Sequence, residues 1–122
     1  IDWLKIPSEK KNFLHGYQSY PCIFDPNLLI SLSNVPSLEE INNTNKNRNL
    51  WMEKLQNEGI GTRPATHAVH LLSYYKKKYK IQSNKFYNAL IANDCSVSLP
   101  LFHGMSLEEQ DFVIKTVLKT KF

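Results

Sequence analysis

A glycine followed by an isoleucine at positions 59 and 60 dictates where a helix in this chain has to stop. The preceding run, 46–58, carries Leu50, Trp51, Met52 and Leu55 at one-face helical spacing. Gly59 suits the left-handed position just past such a helix, and Ile60 then sits where a Schellman cap makes its apolar contact with Leu55. The stretch beyond this stop is dense in chemistry: Gly61, Thr62, Arg63, Pro64, Thr66, His67 and His70 fall within ten positions. Arg63 is a natural fork for a phosphate or carboxylate. The histidines can donate, accept or titrate near neutral pH. A loop of this composition between two helical stretches is expected to face a ligand.

The remaining chain bounds what that loop can belong to. At 122 residues there is one domain's worth of sequence, 42% of it hydrophobic, which predicts a folded core. The net charge of +4 favours anionic partners without demanding nucleic acid. Cys22 and Cys95 form neither a metal-ligand spacing nor a disulfide framework, so a reducing cytoplasm is the expected setting and both thiols are expected to pack as small hydrophobes. No apolar run approaches the roughly 20 residues of a membrane span. The chain opens Ile1-Asp2-Trp3 with neither an initiator Met nor a signal-like apolar stretch, and reads as cut from something longer.

In order, 15–24 is aromatic and apolar and reads as a strand, with Pro21 arguing for an edge or a bulge. Asp25-Pro26-Asn27 closes it as a turn. Residues 28–45 read as a connector with at most a helical turn after Pro36, and 46–58 as the first helix. A short strand is expected over 60–64, a second helix over 68–80, a helical turn over 86–94 and a strand from Ser96 that Pro100 ends. Ser106-Leu107-Glu108-Glu109 is a capping box opening a last helix to about Lys119, with Val113, Ile114, Val117 and Leu118 as its buried stripe. The expected fold is α+β: a small antiparallel or mixed sheet of about three strands with helices packed on it, in one domain over 1–122.

Several of these pieces together resemble a known family. Gly59-Ile60-Gly61-Thr62-Arg63, His70, Tyr74-Tyr75, Asn88-Ala89, Ser98-Leu99-Pro100-Leu101-Phe102-His103-Gly104-Met105-Ser106 and Glu109-Gln110 stand in the order found in the C-terminal domain of the DegT/DnrJ/EryC1/StrS sugar aminotransferases. Ala65 stands where that family often has a histidine. The resemblance covers about 10–120 and implies the small domain of a fold-type-I enzyme that moves an amino group onto a nucleotide-linked keto-sugar with pyridoxal phosphate. It further implies that the Schiff-base lysine and most of the phosphate cup lie in an N-terminal domain outside this chain. The parent would be a homodimer, with no coenzyme bound by this chain alone and no transamination by it.

Arg63, His67 and His70 are the candidate substrate-binding residues, with no catalytic or metal-ligating residue expected here. Each has a plainer alternative. Arg63 could be a surface arginine paired with a carboxylate, His67 a loop residue that only caps or packs, and His70 a structural histidine one turn further on the same helical face. Tyr74, Tyr75 and Lys76–Lys80 could bind single-stranded nucleic acid by stacking and charge, but lysines at a helix end also suit its dipole. The latter reading is preferred, so neither nucleic acid nor membrane is an expected partner. A free-standing binding or regulatory module is the alternative to the aminotransferase domain. A face built to pack on a missing domain would leave apolar surface uncovered and promote self-association.

Overall fold

Two copies of one tetrapeptide, Ser37-Leu38-Glu39-Glu40 and Ser106-Leu107-Glu108-Glu109, open the two longest helices of the protein. In each, the serine hydroxyl accepts the backbone N–H three residues on (3.1 Å in both), and the glutamate there accepts the serine N–H, at 2.7 Å for Glu40 and 2.8 Å for Glu109. The computed structural model describes residues 1–25, 27, 35–82 and 85–120. Strand β1 is Leu4–Lys5, β2 is Tyr20–Phe24 and β3 is Ser96–Leu99; helices α1, α2, α3 and α4 are Leu38–Asn57, Ser73–Tyr79, Tyr87–Cys95 and Leu107–Lys119. A 3-10 turn, Val69–Leu71, precedes α2. The strands form one antiparallel sheet in the order β1-β2-β3. This is the expected α+β class with a three-stranded sheet.

Registers Leu4↔Phe24, Cys22↔Val97 and Tyr20↔Leu99 put those six side chains on one face of the sheet. That face is the core. Trp51 and Leu55 of α1, Val113 and Val117 of α4, Trp3 and Ile60 complete it. Three rings meet at its centre, with Trp3 edge-on to Trp51 at 5.2 Å, Trp3 edge-on to Phe24 at 5.8 Å and Phe24 tilted on Trp51 at 5.7 Å. The indole N–H of Trp51 donates to Thr120 Oγ1 at 3.2 Å, so the buried ring keeps its polar end satisfied. A second cluster, Ile41, Leu90, Ile91 and Cys95, joins α1 to α3.

Pro21 lies in the middle strand, where the sequence argued for an edge. The register explains it. Pro21 faces Ser98, whose N–H points away to Arg63 O at 2.7 Å, so the proline's nitrogen also points away from β3. On that other side β1 pairs only with Ile23 and Phe24. Pro21 therefore occupies a local edge inside a central strand.

Several expected boundaries move. The first helix starts at Leu38 rather than 46, because its buried stripe is Ile41, Thr44, Arg48, Trp51 and Leu55, and two polar members hide the period. The strand expected over 15–24 shrinks to Tyr20–Phe24, since Tyr17 turns left-handed (φ 42°) and donates its N–H to His15 Nδ1 at 2.8 Å. Over 60–64 there is one isolated bridge, Arg63↔Ser98, and no strand. The helix expected over 68–80 breaks at Leu72, whose extended ψ of 132° separates the 3-10 turn from α2. The turn expected over 86–94 is a full helix, α3. Of the expected four-residue stripe on α4, Val117 is buried and Val113 half-buried, while Ile114 is 49% and Leu118 56% exposed; the other buried residue of the helix is Thr116, so the apolar stripe is narrower. Pro26 of the expected turn and 28–34 of the connector lie outside the described residues.

Trp51→Ala is expected to cost about 3–5 kcal/mol, because a fully buried ring contacting two others leaves a cavity. Chemical denaturation of variant and parent side by side checks it. Burial pushes the thiols of Cys22 and Cys95 each up to about 12. Unfolded thiols ionise near 9 while the native ones hold their protons, so stability is expected to fall as pH rises past about 9. At pH 8 a thiol reagent is expected to label neither cysteine in the folded protein and both after denaturation.

Candidate functional site

The loop leaves α1 through the cap that the sequence indicated. Gly59 is left-handed (φ 83°), its N–H donates to Gln56 O at 3.0 Å, and the Ile60 N–H donates to Leu55 O at 2.8 Å. Ile60 is buried in the same cluster as Leu55, so the chain turns back onto the sheet at a set angle.

From there the loop is tied down at three successive backbone groups. The Arg63 carbonyl accepts the Ser98 N–H at 2.7 Å. The Ala65 N–H donates to Ser96 Oγ at 3.3 Å, and the Ala68 N–H to Asn93 Oδ1 at 2.8 Å. All three partners lie between the end of α3 and β3. That segment is itself fastened to α1, since Asn45 Nδ2 donates to Asp94 O at 2.7 Å and Arg48 Nη1 donates to Ser96 O at 2.8 Å.

These ties set the positions of the three candidate side chains. Arg63 is exposed, forms no ion pair with a described carboxylate, and lines a cleft of about 270 Å³ with Ser19, Thr62 and Ser98. The alternative of a surface arginine held by an acid is thus not what the described residues present. His67 is exposed and lies before the 3-10 turn rather than on a helix. It nevertheless shares a cavity with His70, of about 520 Å³, lined also by Thr66, Tyr75, Ile81 and Phe86. His70 is 7% exposed, stands 5.2 Å from the Phe86 ring, and leaves its Nε2 without a hydrogen-bond partner. Arg63 lines a separate cleft from the two histidines, so the structure groups the three on one loop but not in one cavity.

The Tyr/Lys stretch has its own arrangement. Lys78 Nζ lies 5.4 Å from the ring centres of both Tyr74 and Tyr79 and donates to Tyr74 Oη at 3.2 Å. Tyr79 stacks on Tyr75. Among the described residues no group of three His, Cys, Asp or Glu side chains converges as a metal site, and no helix is long and apolar enough to cross a membrane. Every described lysine is exposed.

Comparison with known proteins settles what sort of domain carries this loop. The model of the DegT/DnrJ/EryC1/StrS aminotransferase family matches residues 24–118, which takes in β3, α1 to α3, nearly all of α4 and the whole loop. The chain belongs to that family. It is also similar to an uncharacterized protein of Methanocaldococcus jannaschii, with 27% identity over 119 residues, covering 98% of this chain and 27% of the relative. A DegT/DnrJ/EryC1/StrS chain of this length thus spans about a quarter of the relative it matches.

Arg48, Ser96 and Asn93 were not singled out by sequence reasoning, although they hold the loop. No local pattern marks them, since their bonds join positions 25–48 apart. For His70, the unpaired Nε2 makes a specific prediction. His70→Leu removes a buried polar atom that nothing among the described residues satisfies, and is expected to leave stability unchanged or raise it by up to about 1 kcal/mol. A loss of more than about 1 kcal/mol in a denaturant titration would show the imidazole to be structural.

Proposed function

We propose that this chain is the C-terminal domain of a pyridoxal-phosphate-dependent nucleotide-sugar aminotransferase, and that it helps close the active site over a keto-sugar nucleotide. The family match over residues 24–118 is the observation that carries this reading. In it, the coenzyme belongs to the polypeptide's own N-terminal domain and supplies the amino-transfer chemistry there. The parent acts as a cytoplasmic homodimer, with nucleic acid and membrane outside its partners, and the isolated chain does not transaminate.

The work of this chain is then to bind and orient. Arg63 offers a planar, permanently charged fork to the substrate's phosphates or to the carboxylate of the amino donor. Its backbone is fixed by the bond to Ser98, so only side-chain rotamers have to be ordered on binding. His67 and His70 line one cavity and offer hydrogen bonds to sugar hydroxyls. The unsatisfied Nε2 of His70 has most to gain from a ligand or a closing domain, because a buried polar atom without a partner is costly.

Arg63→Ala in the full-length parent tests the assignment. One charge-assisted contact is worth roughly 1.5–3 kcal/mol, so kcat/KM is expected to fall about 10- to 100-fold for the sugar nucleotide or the amino donor. Unchanged kcat/KM for both would remove Arg63 from the site. Reading the coding sequence upstream of Ile1 decides the domain assignment: a long frame with a Schiff-base lysine supports it, and a start codon close by supports a free-standing module.

A further inference from the structure

Arg48 is an anomaly that the proposed substrate contacts do not use. It sits in the middle of α1, only 4% exposed, with Nε unpaired and no ion pair to any described carboxylate. Burial pulls its guanidinium down from the ordinary arginine pKa, with Cys95 and Asp94 acting in the opposite direction. A guanidinium stays charged in a protein, so this placement is costly. A hydrophobic residue would fit the Ile41–Leu55 stripe of α1 at far lower cost. Stability of the helix alone does not account for Arg48.

Its hydrogen bond among the described residues indicates what it does. Backbone groups of residues two apart in a strand point the same way. Ser98 directs its N–H to the loop, away from β2, so the Ser96 carbonyl lies on that same outer edge of β3. There Arg48 Nη1 meets it at 2.8 Å. The Ser96 hydroxyl accepts the Ala65 N–H, and three residues earlier Asn93 accepts the Ala68 N–H. The outer edge of β3 is thus closed by a loop on one side and a buried cation beneath, where a fourth strand would otherwise pair.

We infer that Arg48, Asn93 and Ser96 are positioning residues: they clamp the 63–68 backbone against β3 so that Arg63 and His67 are presented in one geometry. Asn93 and Ser96 hold the loop directly, and Arg48 holds Ser96. The consequence for catalysis rests on the proposed role of Arg63 and His67 in substrate binding; the clamp itself does not. Fixing a contact residue before the ligand arrives lowers the ordering cost of binding, and loosening it raises KM before it touches the chemical step.

The test uses the full-length polypeptide with Asn93→Ala, Ser96→Ala, Arg48→Met and Arg48→Lys beside Arg63→Ala. Hydrogen–deuterium exchange over 61–70 reads the clamp, and steady-state kinetics reads its consequence. Asn93→Ala is expected to speed exchange in 61–70 at least tenfold while α1 and α4 stay unchanged, and to raise KM for the sugar nucleotide at least fivefold with kcat within twofold. Arg48→Lys is expected to restore part of what Arg48→Met loses. If Arg48→Met does not fold, Asn93→Ala and Ser96→Ala still decide. Exchange in 61–70 that is unchanged in both overturns the clamp. Faster exchange with unchanged KM, in an enzyme that Arg63→Ala does impair, overturns the positioning role. Should Arg63→Ala have no effect either, the substrate assignment falls, and faster exchange still upholds the clamp.

Discussion

A sheet of three strands, two, five and four residues long, cannot stand in water by itself. Everything else depends on α1 lying across it. The Trp51 ring packs with Trp3 before β1 and with Phe24 at the end of β2, so one side chain joins the N-terminal segment and the sheet to the helix. The same helix, at its earlier turns, passes Arg48 and Ile41 to α3 and its C-terminal end. Helix α1 therefore serves both clusters, and its stripe is correspondingly mixed in chemistry.

That mixture explains what could be read in advance and what could not. The Schellman stop at Gly59–Ile60 depends on local bonds three to five residues apart, and it was legible in the residues. So was the α+β class, and so was the last helix from its Ser106 capping box. The first half of α1 was not, because Thr44 and Arg48 stand where the period calls for apolar side chains. Its signal lay elsewhere, in a second Ser-Leu-Glu-Glu at position 37 identical to the one at 106. The strand expected at 60–64 failed for a different reason: an extended loop with one bridge has strand-like residues but only one bond to the sheet.

For the candidate site the division is similar. Arg63, His67 and His70 were conspicuous by residue type on a glycine-rich loop. The structure adds that the histidines share a cavity and that Arg63 does not join them there. What holds the loop was invisible, since Asn93, Ser96 and Arg48 reach it over long separations and look individually ordinary. Contacts of that kind belong to topology, and a single sequence read locally carries no trace of them.

Pro21 has an effect on how copies of the molecule meet rather than on the fold of one. Beyond Ile23 the flank of β2 is not covered by β1, and a neighbour's strand could in principle zip along it. The next backbone nitrogen in line there is the proline's, which has no hydrogen to offer, so the invading ladder would lose its first rung. A residue that looks like a flaw in a central strand thereby denies a neighbouring strand one hydrogen bond at that flank.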